Sequence, residues 1–316
     1  MTTLLVATIG GHLTQLHQLA PRLRGVDTTD RLWVTHDSAQ SRSLLDGEDV
    51  QFVPYIEERD VVGAAKAFLP AARLIRERSI ESVVTTGSAI AVPYISAARA
   101  LRRKAYYIES AAFVRSRSLT ARILRSSGAN TFTQYPDMVG RGWDHRGWVF
   151  DSFDAVPVEP APVPTSMLVM LGTSRVFGYR SLLERLVQIV PPTCEVTWQT
   201  GCTDLQGLDI DARPWIPAQE LAEIIGTVDA VVSHAGVGSA LGALSTGIRP
   251  VLVARRAEDG DVGNDHQLEI AERLSARGLA TVRTVETLTW EDIAGSTAWR
   301  IERPGELPPF DLTLAR

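Results

Sequence analysis

Two doubly wound α/β domains joined by a proline-rich linker are the fold this sequence predicts, and three observations predict it. Short apolar runs alternate with segments of helical period along the whole chain, the pattern of mostly parallel sheets covered by helices. The alternation breaks at residues 154–165 (DAVPVEPAPVPT), where four prolines fall in twelve positions without helical or strand period. The length, 316 residues, suffices for two domains of ordinary size, each with its own core. The expected division is a first domain at 1–153, a linker at 154–165 and a second domain at 166–316 that ends in a tail, Trp290 to Arg316, read as proline-rich and irregular.

In order, Leu4 to Ala7 reads as a strand, and Thr8-Ile9-Gly10-Gly11-His12 turns it into a helix carrying Leu13, Leu16, Leu19 and Leu23 at spacings of three and four. Arg31 to Thr35 and Val50 to Val53 read as strands, and Val61 to Arg78 as an amphipathic helix with Arg73, Arg76 and Arg78 near its C-terminal end. Ser82 to Thr86, a Gly87-Ser88 turn, a helix to Leu101 and the strand Ala105 to Ile108 continue the alternation. Past the linker it restarts with Met167 to Leu171, a helix at Tyr179 to Val190 and a strand at Glu195 to Gln199. A helix at Pro217 to Ile225, strands at Ala230 to Val232 and Val251 to Ala254, and a helix at Gln267 to Arg277 closed by Gly278 follow. Sheets of this kind bind ligands outside the C-terminal ends of their strands, so two of them predict an interdomain site.

Composition narrows the class. Hydrophobic residues at 45% and charged residues at 22% are those of a folded globular protein. The first residues, MTTLLVATIGGH, lack a basic region before the apolar segment, and Cys194 and Cys202 have no second metal-ligand pair, so an intracellular protein with reduced thiols is expected. Residues 1–155 carry 19 Lys and Arg against 16 Asp and Glu, whereas the rest carries 13 against 21, which makes the first half the better candidate for an anionic surface. A pI near 5.7 and the absence of a basic, aromatic recognition motif argue against nucleic acid.

The stretch that carries most chemistry is Val231 to Pro250, where an apolar strand ends at Ser233-His234-Ala235-Gly236-Val237-Gly238-Ser239 and a helix of small residues follows. The glycines permit a tight turn and close approach of a ligand to the main chain, Ser239 is a candidate helix cap, and free N–H groups at such an end favour an anion. A βα turn that uses glycine only for packing reads equally well from the local pattern. Asn264-Asp265-His266-Gln267 is by itself a helix cap.

Taken together, three blocks resemble glycosyltransferases of the GT-B fold, two Rossmann-like domains with an interdomain cleft, of the family 28 type. Thr8-Ile9-Gly10-Gly11-His12 is similar to the GxGGH loop of enzymes that make lipid II and the dolichol-linked chitobiosyl unit. Tyr107-Ile108-Glu109-Ser110-Ala111, with Ser116 to Thr120 (SRSLT) and Gln134-Tyr135-Pro136, resembles the membrane-side subunit of the dolichol-pathway N-acetylglucosaminyltransferase. SHAGVGSALGAL followed by NDHQLEIAERL resembles its nucleotide-sugar-binding subunit, so the chain looks like both subunits fused.

The resemblance implies a UDP-sugar donor whose diphosphate sits on the main chain of Ser233 to Ser239, with Gly11, Thr173, Ser174 and Arg175 near it and no metal or cofactor. It implies that His266 and Gln267 meet the sugar hydroxyls and that main chain near Ile216 holds the uracil. Asp209-Ile210-Asp211 has metal-ligand spacing but reads as a solvated turn. One departure stands out: the acid that in the family bonds the ribose is replaced by Gly242. For an inverting transfer a base must take the acceptor proton, and His12 and Glu109 are the candidates, ranked nearly equal; Asp37 reads as a helix cap.

Arg115, Arg117, Arg122 and Arg125 interleave with Phe113, Val114, Leu119, Ile123 and Leu124, a pattern of a solvated helix face or of peripheral contact with an anionic membrane and a lipid-linked acceptor. The expected activity is transfer of a sugar, GlcNAc in the first instance, from UDP to a lipid-pyrophosphate-linked saccharide at the cytoplasmic face of the cell membrane. A soluble natural-product acceptor, a UDP-GlcNAc 2-epimerase and a scaffold with a degenerate nucleotide site are the alternatives.

Overall fold

A computed structural model describes residues 2–172, 178–255 and 266–313. The chain forms two compact units, Met1–Asp151 with Glu306–Arg316, and Ser152–Gly305. In the first, β1 (Thr3–Val6) leads into α1 (Gly11–Leu19), and β2 (Leu23–Arg24), β3 (Arg31–His36), α2 (Ala39–Leu44), β4 (Val50–Val53) and α3 (Val61–Glu77) follow. β5 (Ser82–Thr85), α4 (Ala91–Ala100), β6 (Lys104–Ile108), α5 (Leu119–Ser126), β7 (Asn130–Thr133) and β8 (Trp143–His145) complete it. Seven of these strands make one parallel sheet in the order β4-β3-β1-β5-β6-β7-β8. β1 is buried at every position, so an unbroken apolar run suits it, and its Leu4 and Val6 pack with Ile75, Ile95 and Leu124 of the covering helices.

The second unit holds β9 (Asp154–Pro157), β10 (Ser166–Met170), α6 (Arg180–Ile189), β11 (Glu195–Gln199), β12 (Ala212–Arg213), α7 (Ala218–Ile225) and β13 (Ala230–Ser233). It continues with α8 (Val237–Ser245), β14 (Val251–Val253), α9 (His266–Ala276), β15 (Thr281–Arg283), α10 (Trp290–Ser296) and β16 (Trp299–Glu302). Six strands form a parallel sheet ordered β12-β11-β10-β13-β14-β15. Each sheet thus runs outward in both directions from its first strand, β1 or β10. The two switch points are the crevices β1/β5 and β10/β13.

Four expectations change. The start of the proline-rich segment is β9, paired antiparallel with β16, and Glu159-Pro160 is cis. The tail is not irregular throughout. α10 is closed by a capping box of Thr289 and Asp292, and β17 (Phe310–Asp311) pairs with β2 in the first unit. Leu23 therefore lies beyond α1, in β2. Arg22, fully buried, fastens this return by donating to Pro308 O and Trp148 O, each at 2.8 Å, with Asp151 3.9 Å away. Asp37 does not cap α2: Ser38 does, in a capping box with Ser41, while Asp37 pairs with Arg42.

Candidate functional site

At the β1/β5 switch point the glycine turn of the sequence takes a conformation that demands glycine, Gly10 having φ 83° and ψ −145°. The Gln40 side chain accepts from Gly10 N at 2.6 Å, and α1 begins at Gly11 with no side chain capping it. His12, in the first turn, and Thr86, past β5, are latched reciprocally: the imidazole Nδ1 donates to Thr86 O and Thr86 Oγ1 donates to His12 O, both at 2.9 Å. A carbonyl only accepts, so Nδ1 carries the proton and Nε2 keeps the lone pair. Burial holds the His12 pKa below its usual value, against the opposing pull of Thr86 O and Glu58. Gly87 (φ +108°) admits the arrangement, because a methyl there would lie 3.1 Å from the Tyr107 ring and 3.6 Å from His12.

Glu109 stands in a different environment. Its side chain is 2% exposed and accepts from Tyr107 OH (2.5 Å), Ser118 Oγ (3.0 Å) and Ser118 N (3.2 Å). Burial raises its pKa, and these three donors oppose the rise. Ser118 also caps α5 through Ala121 N, so Glu109 fixes the start of that helix. The other residues of this block are engaged too. Gln134 joins Glu109 O to Val149 N, and Gln15 reaches Gly11 O, Ser110 Oγ and Ala111 N.

In the second unit Ser233, Ala235 and Val237 are buried, and α8 starts after Gly236 with no side-chain cap. Ser239 is inside the first turn and is not the cap. The turn offers main-chain N–H groups. Gly236 has φ −80°, open to any residue; what excludes a side chain is the buried His234 ring, whose Nε2 would lie 2.5 Å from a methyl on Gly236 and 2.7 Å from one on Gly172. His234 Nδ1 donates to Met170 O at 3.3 Å across the β10/β13 switch point. Burial and then the charge of Arg255 lower its pKa to about 4.

Of the remaining candidates, Ile216 is buried and its N–H is already given to Gln199 Oε1, at 3.1 Å. Gln267 Oε1 accepts from Arg255 N at 3.2 Å, tying α9 to the end of β14, and His266 Nδ1 lies 3.8 Å from Glu269. Gly242 directs the position of a side chain toward α7, where a methyl would meet Ile225 Cδ1 at 3.7 Å. Asp209-Ile210-Asp211 lies in the loop before β12. Thr173, Ser174, Arg175, Asn264 and Asp265 fall outside the described residues. Arg255 was not foreseen: 3% exposed, it sits over the Tyr179 ring at 5.3 Å, and the signal was an apolar strand, VLV, ending in paired arginines. Arg115 and Arg122 are exposed, whereas Arg117 stacks on Trp143 at 3.9 Å.

No family model matches the chain. A UDP-N-acetylglucosamine--N-acetylmuramyl-(pentapeptide) pyrophosphoryl-undecaprenol N-acetylglucosamine transferase from Chlorobium limicola is 26% identical over 235 residues, which are 70% of this chain and 64% of that protein, just under two thirds of its length. Among solved structures, Acinetobacter baumannii MurG matches with TM-score 0.56 and 19% identity over 92% of this chain and 88% of its own. The glycosyltransferase SnogD from Streptomyces nogalater matches with TM-score 0.55 and 19% identity over 92% and 90%. The glycosyltransferase VinC, solved in complex with DTDP, matches with TM-score 0.51 and 16% identity over 92% and 88%. The fold is that of the GT-B glycosyltransferases.

Proposed function

We propose that this chain, with its GT-B fold, is an inverting glycosyltransferase that takes a nucleoside-diphosphate sugar as donor. The observation that carries the reading is the start of α8, an uncapped helix end at a sheet switch point whose neighbouring side chains are buried, leaving main-chain N–H groups for an anion. There the leaving diphosphate would gain hydrogen bonds and the helix dipole as its charge develops, without a metal or cofactor. The first domain supplies the base: His12 Nε2 takes the proton from the acceptor hydroxyl, whose oxygen attacks the anomeric carbon as the bond to the diphosphate breaks on the opposite face. Glu109 is a positioning residue in this scheme, since Tyr107 and Ser118 occupy its oxygens.

The finer reading follows the Chlorobium relative, whose name gives UDP-N-acetylglucosamine as donor and a pyrophosphoryl-undecaprenol saccharide as acceptor. Here the donor is UDP-GlcNAc, the acceptor a lipid-pyrophosphate-linked saccharide, and the enzyme a peripheral one at the cytoplasmic face of the membrane. Among the described residues no helix is long and apolar enough to cross a bilayer. Glycosyltransferases named for kitacinnamycin and for calicheamicin share the fold, and this keeps a natural-product acceptor as the second reading.

Calorimetric titration with UDP, dTDP and uridine tests the donor. UDP binding at least tenfold tighter than uridine is expected, and failure of both diphosphates to bind would end the proposal. Release of UDP from UDP-GlcNAc only when undecaprenyl-pyrophosphoryl saccharide is added selects the lipid-linked acceptor. Conversion to UDP-ManNAc without acceptor would make the protein an epimerase instead.

A further inference from the structure

Beside α5 the first unit holds a cavity of about 420 Å³ that contains neither His12 nor any residue of the α8 turn, and whose lining includes Arg117 and Arg122, the arginines expected from the sequence to meet an anionic surface. Arg117, Ala121, Arg122, Arg125, Ser126 and Trp143 line it, so half of its lining side chains are cationic and none is acidic. Arg122 and Arg125 lie three apart on one face of α5, and Arg117 comes from the segment just before that helix. The Trp143 side chain, 2% exposed, makes the wall on which the Arg117 guanidinium stacks. Arg117 Nη2 donates to Met138 O, but Arg117 Nη1 and Trp143 Nε1 are buried donors without an acceptor among the described residues. Burial lowers the Arg117 pKa, Glu109 opposes this from the interior with its oxygens already engaged by Tyr107 and Ser118, and the charge of Arg125 adds a smaller lowering. Like charges gathered around a cavity repel one another, and an anion placed among them removes that cost.

We propose that this cavity is a binding site for a phosphate group, held by Arg117, Arg122 and Arg125 against the Trp143 wall. Guanidinium forks match phosphate oxygens two at a time, a pairing that a single ammonium does not offer. The phosphate belongs either to a lipid headgroup, with the exposed Leu119 and Ile123 of α5 entering the bilayer beside it, or to a soluble phosphate compound. The site does not depend on the donor reading, because none of its residues belongs to the α8 turn.

Inorganic pyrophosphate is the probe, followed by the indole N–H resonance of Trp143, assigned through Trp143→Phe. The wild type is expected to show a saturable shift of that resonance. Arg122→Gln/Arg125→Gln, two exposed positions that leave the fold intact, is expected to weaken the binding by about tenfold or more, as removal of charge-assisted contacts does. An unmoved Trp143 resonance, including the case in which pyrophosphate binds only at α8, overturns the proposal, and so does equal affinity in the double variant. Sedimentation with phosphatidylglycerol and with phosphatidylcholine vesicles then assigns the source. Co-sedimentation with the former alone, reversed by pyrophosphate, identifies a headgroup; pyrophosphate binding without co-sedimentation identifies a soluble ligand. Either result sustains the pocket.

Discussion

The His234 imidazole stands against the main chain of Gly236, so that a methyl on this glycine would lie 2.5 Å from Nε2. Because φ there is −80°, the clash and not the backbone excludes a side chain. Gly236→Ala is therefore expected to destabilise the protein by about 1–3 kcal/mol, the usual cost of overpacking. In a His234→Ala background the same substitution should cost far less. Urea unfolding of the four proteins gives the coupling, and additive effects would show that the ring is not the obstacle.

The same ring makes stability depend on acid. His234 titrates near 4 in the folded protein against 6.5 ordinarily, so the unfolded chain binds the extra proton first. Stability is then full above 6.5 and falls as pH drops from 6.5 toward 4, by on the order of 3 kcal/mol. His234→Gln should flatten this part of the stability profile measured by urea unfolding.

Gly242 behaves oppositely to Gly236. It sits inside α8, and a methyl on it would touch Ile225 at 3.7 Å, an ordinary contact. Gly242→Ala should raise stability by about 0.5–1 kcal/mol through helix propensity. A fall in the melting temperature would contradict the packing described here.

His12 has its lone pair on Nε2 and a pKa lowered by burial. His12→Ala is expected to lower kcat by about 10²–10⁴-fold with little change in donor affinity. In the wild type, kcat/KM should fall on an acid limb whose midpoint lies below 6.5, and the variant should lose that limb. An unaltered limb would assign the base elsewhere.

Glu109 has the opposite sign to His234. Its folded pKa is raised above 4.5, so the folded protein keeps the proton longer; the contribution is full below 4.5 and is lost as pH rises through the folded value. Glu109→Gln removes this slope. Turned so that its oxygen accepts from Ser118 N and its NH2 donates to the Tyr107 and Ser118 hydroxyls, the amide keeps these contacts, so a change of less than about 1 kcal/mol at neutral pH is expected from urea unfolding.

The periodic elements were legible because β1, β5, β10 and β13 are apolar runs ended by glycine turns, and the longer helices carry clear faces. α2 and β8 were not, since six polar-rich and three residues are too short for a period to show. β9, β16 and β17 escaped for another reason: their partners lie far away in sequence, and pairing of that kind leaves no local trace. At the site, the turn at Gly236 could be read but not its cause, which is a ring folded back from two residues earlier. Tyr135 and Gln134, part of a block that carries the resemblance, donate to Ala111 O and Glu109 O, contacts that no local pattern announces.

Arg22 and β17 give the chain a second passage between its units, since residues 306–313 return to the unit that Asp151 had left. A single cut at the proline-rich segment cannot yield two whole pieces. The first would lack the strand that covers β2 and would leave Arg22 with one carbonyl fewer, while the second would carry that strand as a loose end. Anyone wishing to turn this chain into two separately expressed halves must cut at both passages, or move the last residues by circular permutation to follow Asp151.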